Sequence, residues 1–182
     1  MIAFLDFEAS SLSDDSYPVE VGWIFEDGRS ESHVIRPAPA WTDWDLAAEA
    51  IHGIPREQLL AEGAVPREVA SRLVDQLTGH SLYATAPSWD GKWLSVLLRA
   101  GGFPRHALRL RNSDEAHLEA AQNVGVSPQE ADTILAWVRR LQNEVRPEHR
   151  ALPDARRELE IWLEVRRQAQ LLNQRRATGG EP

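Results

Sequence analysis

The amino-terminal residues constrain the fold of this chain most. An apolar run over residues 2–5 favours a buried central strand, and two carboxylates, Asp6 and Glu8, follow it two positions apart. Because side chains at i and i+2 of a strand point to the same face, we expect these carboxylates to lie side by side. Like charges placed so repel each other unless a cation neutralises them, and a hard divalent cation prefers oxygen ligands. The alternative is a solvated acidic edge, because Asp-x-Glu alone has little specificity.

The length and composition fit one globular domain. A chain of 182 residues with 42% hydrophobic residues can bury a substantial core. We assign residues 1–176 to a single domain and residues 177–182 to a disordered tail. The absence of cysteine excludes disulfides and thiolate metal sites, and no apolar run is long enough to cross a membrane. We therefore expect a cytoplasmic protein without a membrane partner.

The charge of the chain limits how it could meet nucleic acid. A net charge of −8 argues against binding by bulk electrostatics, which needs many Lys and Arg side chains. It leaves open an enzyme that meets phosphate through bound metal ions, because the cations supply positive charge. Lys92 is the only lysine, so the basic residues are almost all arginine. Arginine suits bidentate phosphate contacts, although a coding bias explains this usage equally well.

The hydrophobic pattern predicts an α/β fold with a mixed sheet flanked by α-helices. A strand over 19–25, an Asp-Gly turn and a returning strand over 32–35 would extend the first strand into an antiparallel meander. Parallel strands and helices would complete the domain. The remaining predicted elements are a short helix ending near Ala50, a helix that begins at Pro55 and ends at Gly63, a helix over 66–77, strands over 81–85 and 108–110, an apolar helix ending at Ala100, a helix from Ser127 that carries Leu141 inward, and a long final helix beginning near Pro153.

Two further carboxylates stand at positions that suit a site. Asp90 lies near a predicted strand-to-helix junction, where open α/β sheets place ligands. Asp154 lies in the first turn of the final helix, where the helix dipole favours negative charge, and His149 precedes it by five positions.

Taken in order along the chain, these segments resemble the DEDDh branch of the DnaQ-like 3′–5′ exonucleases, which belong to the RNase H-like superfamily. Residues 6–10 (Asp-Phe-Glu-Ala-Ser) resemble the first motif of that family, and residues 88–90 (Ser-Trp-Asp) resemble the second. Residues 149–155 (His-Arg-Ala-Leu-Pro-Asp-Ala) match the third, and residues 51–54 (Ile-His-Gly-Ile) are similar to a segment that often follows the first motif. The resemblance implies an RNase H-like sheet.

The resemblance also implies a mechanism. Asp6, Glu8, Asp90 and Asp154 would hold two divalent cations, Mg²⁺ or Mn²⁺, and His149 would act as the general base that takes a proton from water. An imidazole suits this role because its ordinary pKa is ~6.5. The implied reaction is hydrolysis of single-stranded DNA or RNA from its 3′ end, which releases nucleoside 5′-monophosphates.

Substrate-binding positions follow from the same resemblance, and two departures from the family pattern affect them. Ser11 stands where glycine is common in the family, and Ala86 stands where asparagine is common. Both positions lie where the family binds the last nucleotide of the substrate, so these departures affect the expected substrate preference. Leu12 would wedge against the terminal base, or it would be an ordinary packed leucine. The predicted substrate-binding residues are Ala9, Ser10, Leu12, His52 and Trp89, and the histidines expected to have no role in the site are His33, His80, His106 and His117.

Two alternative functions stay open at the sequence level. One is a phosphodiesterase that acts on short oligonucleotides or small nucleotides, which the acidic composition favours. The other is a non-catalytic binding module on the same fold, although such a module needs none of the four carboxylates. The sequence does not distinguish DNA from RNA, and it leaves a polymerase or a second copy of the chain as alternative partners.

Overall fold

A mixed β-sheet forms the centre of the molecule. The computed structural model describes residues 1–142 and 148–178, and within these ranges five strands pair in the order β3-β2-β1-β4-β5. The neighbours β1 and β2 are antiparallel, as are β2 and β3, whereas β4 and β5 continue the sheet in parallel with β1. The predicted antiparallel meander with added parallel strands is confirmed. The strands are β1 (Ile2–Ala9), β2 (Pro18–Phe25), β3 (Ser30–Val34), β4 (Ser81–Ala84) and β5 (Leu110–Asn112).

Helices cover both faces of this sheet. α3 and α4 pack on one face, and α5 and α7 pack on the other, with α6 against α7. No helix among the described residues is long and apolar enough to cross a bilayer. The helices are α1 (Leu46–His52), α2 (Arg56–Glu62), α3 (Pro66–Leu77), α4 (Pro87–Ala100), α5 (Ser113–Gln122), α6 (Pro128–Gln142) and α7 (Ala151–Ala177).

The side chains of β1 alternate between the two helical layers. Leu5 and Phe7 lie in the core beneath α3 and α4, whereas Phe4 lies in the core beneath α5 and α7. Asp6 and Glu8 share the face of Phe4, because alternate residues of a strand point to the same side. The amphipathic pattern of β1 therefore directs both carboxylates towards the beginning of α7.

Three predictions about the elements need correction, and one helix was not predicted. The last strand begins at Leu110 instead of 108, and α5 was not predicted, although its capping box between Asn112 and Glu115 marks its start. Leu141 is 45% exposed, because it lies on the outer side of α6. Ala177, assigned to the tail, is the last residue of α7, whose helical hydrogen bonding continues through it. The rest of the predicted tail, 179–182, lies outside the described residues.

The beginning of α7 lies against the backbone of β2 at Gly22. A Cβ atom built on Gly22 would lie 2.6 Å from the carbonyl carbon of Ala151 and 2.6 Å from the Cα of Leu152. Both are backbone atoms, so they cannot turn away as a side chain can. Glycine at this position is what allows helix and sheet to approach so closely.

We expect Gly22→Ala to destabilise the fold by roughly 1–3 kcal/mol, the usual cost of overpacking. Urea unfolding followed by circular dichroism measures this. The matched control is Gly91→Ala in α4, where an added Cβ meets no described atom within 4 Å, so alanine should stabilise the helix by about 0.5–1 kcal/mol. Equal stability of the two variants would contradict the close packing of α7 on β2.

Candidate metal centre

Three carboxylates meet between the end of β1 and the first turn of α7. Asp6, Glu8 and Asp154 each offer one oxygen, and these oxygens all lie within 4.8 Å of one another. β1 supplies the first two from one face, as its alternation dictates. Asp154 reaches them because α7 begins at Ala151, which places this residue in the first helical turn. The sequence-predicted grouping of these three residues is present in the structure.

Asp90 stands behind this group, on the first turn of α4. It is only 3% exposed, and its Oδ2 accepts a hydrogen bond from the Ala86 backbone N–H at 3.2 Å. Burial raises the pKa of Asp90 to about 7, although hydrogen bonds from backbone amides oppose the shift. Asp90 is not part of the close three-carboxylate group, but its charge acts on Asp6.

Burial raises the pKa of the carboxyl groups of the site, and neighbouring carboxylates raise the pKa of Asp6 and Glu8 further. Burial raises the pKa of Asp6 well above its usual range, and the charges of Asp90, Glu8 and Asp154 raise it further. The pKa of Glu8 rises to about 8, first through burial and then through the charge of Asp154. Burial also raises the pKa of Asp154. Carboxylates in this arrangement are difficult to ionise together, and a hard divalent cation with oxygen ligands would relieve the repulsion. The donor set therefore fits a metal centre.

A buried glutamate on β2 fixes the beginning of α7 beside this group. Glu20 lies directly opposite Glu8 in the sheet and is 2% exposed. Its carboxylate accepts hydrogen bonds from the Arg150 guanidinium at 2.6 and 2.9 Å and from the Ala151 backbone N–H at 3.0 Å. Arg150 is thereby held on Glu20, next to Glu8, and α7 is held where Asp154 reaches the other carboxylates.

Sequence reasoning did not identify Glu20. The sequence contains one signal for it, a glutamate inside an otherwise apolar strand. Because Glu20 lies two residues before Gly22, the two residues face the same side of the sheet. A carboxylate there requires a buried cationic partner. That partner is Arg150, which forms an ion pair with Glu20.

His149 lies immediately before α7, in a backbone conformation that non-glycine residues seldom adopt. Its φ is +53°, and it is the one non-glycine residue with positive φ among those described. His149 lines a cavity of about 330 Å³ together with Asp6 and Asp154, and Arg157 and the buried Glu158 also line it. The predicted base and two of the four predicted metal ligands, Asp6 and Asp154, therefore share one cavity.

A cluster of serines fixes the loop that follows β1. The hydroxyls of Ser10 and Ser11 donate to Asp43 Oδ2 at 2.9 and 2.6 Å, and Ser13 donates to Asp43 Oδ1 at 3.0 Å. Ser11, the departure from the family's glycine, thus supports the loop from within. Leu12 lies between these anchors and is 70% exposed, so it is not an ordinary packed leucine.

The other predicted substrate residues differ in accessibility. Ala9 and Ser10 are buried, and since the Ser10 hydroxyl is already bonded to Asp43, this geometry does not support a substrate contact by that side chain. His52 is 4% exposed, its Nδ1 accepts from the Ile54 backbone N–H, and burial lowers its pKa. Trp89 is 36% exposed at the beginning of α4, where it stacks on Trp93.

Solved structures share this fold across nearly the whole chain. A zinc-bound E. coli exonuclease I–single-stranded DNA complex matches with a TM-score of 0.66 and 16% identity, over 94% of this chain. E. coli exonuclease I with a dT13 oligonucleotide matches at 0.65 and 15% over 94%, and exonuclease I from Methylocaldum szegediense at 0.66 and 16% over 93%. The likeness confirms the RNase H-like α/β fold.

The likeness covers a part of those proteins. This chain spans 42% of the two E. coli chains and 41% of the Methylocaldum chain. No protein-family model matches the sequence, and no curated protein matches it. At this level of identity, the comparison establishes the fold, and function has to be argued from the site itself.

Without divalent cations, we expect thermal stability to fall as the pH rises from about 5 to about 8. Glu8, with a folded pKa of about 8, and Asp90, at about 7, keep their protons in the fold after the unfolded chain has lost them. Their contribution is complete below the ordinary carboxyl pKa and is lost as the pH rises through the folded values. Calorimetric scans in EDTA at pH 5, 6.5 and 8 measure the decline.

The control for this prediction is Glu8→Gln, which should lower Tm less between pH 5 and 8 than the parent chain. Saturating Mn²⁺ at pH 8 should raise the Tm of the parent chain more than that of the variant, because the cation binds the ionised carboxylates. If Tm changed with pH equally in both chains in EDTA, ionisation of Glu8 would not contribute to the loss of stability and the prediction would be wrong.

We expect Glu20→Gln to weaken divalent-metal binding by about 10- to 100-fold, as loss of a residue supporting metal ligands usually does. Loss of the Glu20 charge leaves Arg150 without its neutralising partner beside Glu8, so the net positive charge next to the ligands rises. Titration calorimetry with Mn²⁺ measures the affinity. Glu31→Gln is the matched control, because Glu31 also pairs with an arginine, Arg72, on the exposed edge strand. Equal affinities in the two variants would refute a role for Glu20 at the centre.

Proposed function

We propose that this chain is a divalent-metal-dependent 3′–5′ exonuclease of the DEDDh type, which removes nucleoside 5′-monophosphates from single-stranded nucleic acid. One observation carries the proposal. The carboxylates of Asp6, Glu8 and Asp154 lie within 4.8 Å of one another, and His149 lines the same cavity as two of them. A cation site beside a general base is the arrangement that metal-assisted phosphodiester hydrolysis uses.

Each residue of the site has a role in this proposal. Asp6, Glu8 and Asp154 would hold two divalent cations, Mg²⁺ or Mn²⁺, and Asp90, whose charge acts on Asp6, would support the group. Cations bound there would supply the positive charge that activates water and stabilises the leaving oxygen. His149 accepts the proton of the attacking water at its imidazole. The positive φ of this residue is consistent with a conformation kept for function at some cost in strain.

The surroundings of the centre support a nucleic-acid end as the substrate. Leu12 presents an exposed apolar side chain on a fixed loop, which suits contact with a terminal base. Trp89 presents part of its ring at the beginning of α4, next to Asp90, and aromatic faces bind unpaired bases by stacking. The similarity of the fold to exonuclease I structures with single-stranded DNA is in line with this substrate class.

A phosphodiesterase acting on small nucleotides is the second candidate, because the acidic chain lacks the charge for extensive polymer binding. A gel assay separates the two. Single-stranded DNA and RNA labelled at the 5′ or the 3′ end are incubated with Mg²⁺, Mn²⁺ or EDTA. The exonuclease is supported if the 5′-labelled strands give a stepwise ladder, the 3′-labelled strands release mononucleotide, and no cleavage occurs in EDTA. Cleavage of dinucleotides alone supports the second candidate, and no cleavage of either supports a binding module.

We expect Asp6→Asn to abolish hydrolysis while leaving the fold intact, because removal of a charge from a repulsive group does not destabilise it. His149→Ala should lower kcat by about 10²- to 10⁴-fold, the usual scale of general-base catalysis, and should remove the acidic limb of the pH–rate profile. Asp132→Asn, on the exposed side of α6, is the control and should leave kcat unchanged. Full activity in Asp6→Asn would refute the proposed centre.

A further inference from the structure

A second cavity, of about 450 Å³, lies between α4 and the segment that precedes β5. Four basic side chains line it, and we call it the basic groove after them. None of the described residues that line it is acidic. In a chain with a net charge of −8, a concave surface that carries three cationic side chains and no carboxylate is unusual, because opposite charges ordinarily intersperse. The basic residues of the groove are Lys92, Arg105, His106 and Arg109.

Two arginines of the basic groove have no carboxylate partner within the described residues. Arg105 donates from Nε to His106 Nε2 at 2.7 Å, which fixes the arginine without neutralising it. Arg109 takes part in no ion pair within the same ranges, whereas Arg72 and Arg150 are each held by a glutamate. Guanidinium groups that converge on one cavity repel one another unless an anion enters. Their planar forks match the oxygens of phosphate.

A helical glycine on the wall of the basic groove supports the same reading. Gly91 lies in the second turn of α4, where glycine costs about 0.5–1 kcal/mol relative to alanine. Packing does not require it, because an added Cβ would meet no described atom within 4 Å. A bare helix surface allows the backbone of a ligand to approach closely. The groove therefore has cationic side chains that attract a phosphate, and at Gly91 it has no side chain that would block one.

The basic groove begins at the first turn of α4, the same turn that carries Asp90. Gly91 follows Asp90 directly, and Pro87, the first residue of the helix, also lines the groove. Trp89, with its partly exposed ring, lies between them in sequence. Lys92 links the groove to the loop after β1, because its Nζ donates to the Ser13 carbonyl oxygen at 2.5 Å. A strand whose end reaches the carboxylates could therefore continue past the beginning of α4.

We propose that the basic groove binds the phosphodiester backbone of single-stranded nucleic acid, upstream of the bond that is cut. The inference rests on the proposed exonuclease function and deepens it, because it identifies longer single strands, and not dinucleotides, as the preferred substrate. Arg105 and Arg109 each contact one phosphate, and Gly91 keeps the wall of the groove clear. These contacts involve phosphates and no bases, so binding in the groove does not depend on the nucleotide sequence.

Binding is tested with the full chain carrying Asp6→Asn, so that the probe is not cut. Fluorescence anisotropy of a labelled single-stranded dodecamer is measured across a series of NaCl concentrations, without and with Arg105→Gln and Arg109→Gln. Each substitution should weaken binding about tenfold at low salt and reduce the slope of log K against log[NaCl] by about 0.7, the value for one phosphate contact on a single strand. Arg175→Gln, at the far end of α7, is the matched control and should change neither.

Hydrolysis tests the same groove independently. In a chain with an intact metal centre, kcat/KM should rise from dinucleotide to decanucleotide, and Arg105→Gln with Arg109→Gln should flatten this rise while leaving dinucleotide cleavage unchanged. Gly91→Leu should have the same effect by filling the groove, and a Tm no lower than that of the parent chain shows that the fold is retained.

The outcomes separate this inference from the function on which it rests. Hydrolysis from the 3′ end with the same salt slope in the arginine variants would overturn the groove and leave the exonuclease standing. Absence of hydrolysis would refute the exonuclease, and the anisotropy series would still decide the groove. An undetectable interaction between the Asp6→Asn chain and the dodecamer at about 50 mM NaCl would overturn the groove outright.

Discussion

The site depends on how α7 begins. The carboxylate of Glu20 binds both the Arg150 side chain and the Ala151 backbone N–H, and glycine at 22 lets the helix lie against the strand. A buried carboxylate with three donors is stable where an unpaired one is not, so the helix cannot shift without leaving a charge unsatisfied. The position of Asp154 relative to β1 is a consequence of this contact.

The fold holds like charges together and is destabilised by doing so. Asp6 and Glu8 face the α7 side because the other face of β1 is taken by the larger core, and there they meet Asp154 and the buried Asp90. Burial raises the pKa of Asp6, Glu8 and Asp90, and the charges of neighbouring carboxylates raise the pKa of Asp6 and Glu8 further. A bound cation would relieve the repulsion between the ionised carboxylates, and this relief would contribute to the affinity for the cation. The same arrangement therefore lowers the stability of the metal-free chain and favours metal uptake.

Local patterns in the sequence predicted much of the fold and the core of the site. The strand period placed two carboxylates on one face, and helix-start residues located the turn that holds Asp154, because both signals act over a few residues. Long-range relations were harder to read. The pairing of Arg150 with Glu20 joins positions 130 residues apart, and the burial of Ser10 depends on Asp43 in a distant loop. α5 was overlooked because its alanine-rich inner face gives a weak hydrophobic signal.

The serine cluster around Asp43 has a consequence for how a nucleotide could be received. An exposed leucine on a mobile loop would have to be ordered on binding, at a cost in side-chain and backbone entropy. Here three hydroxyl groups and the backbone bond from the Asp45 N–H to the Ser10 carbonyl oxygen fix the loop beforehand. The apolar tip at Leu12 is preorganised, so the free energy of its contact with a base would go into affinity instead of into ordering the loop.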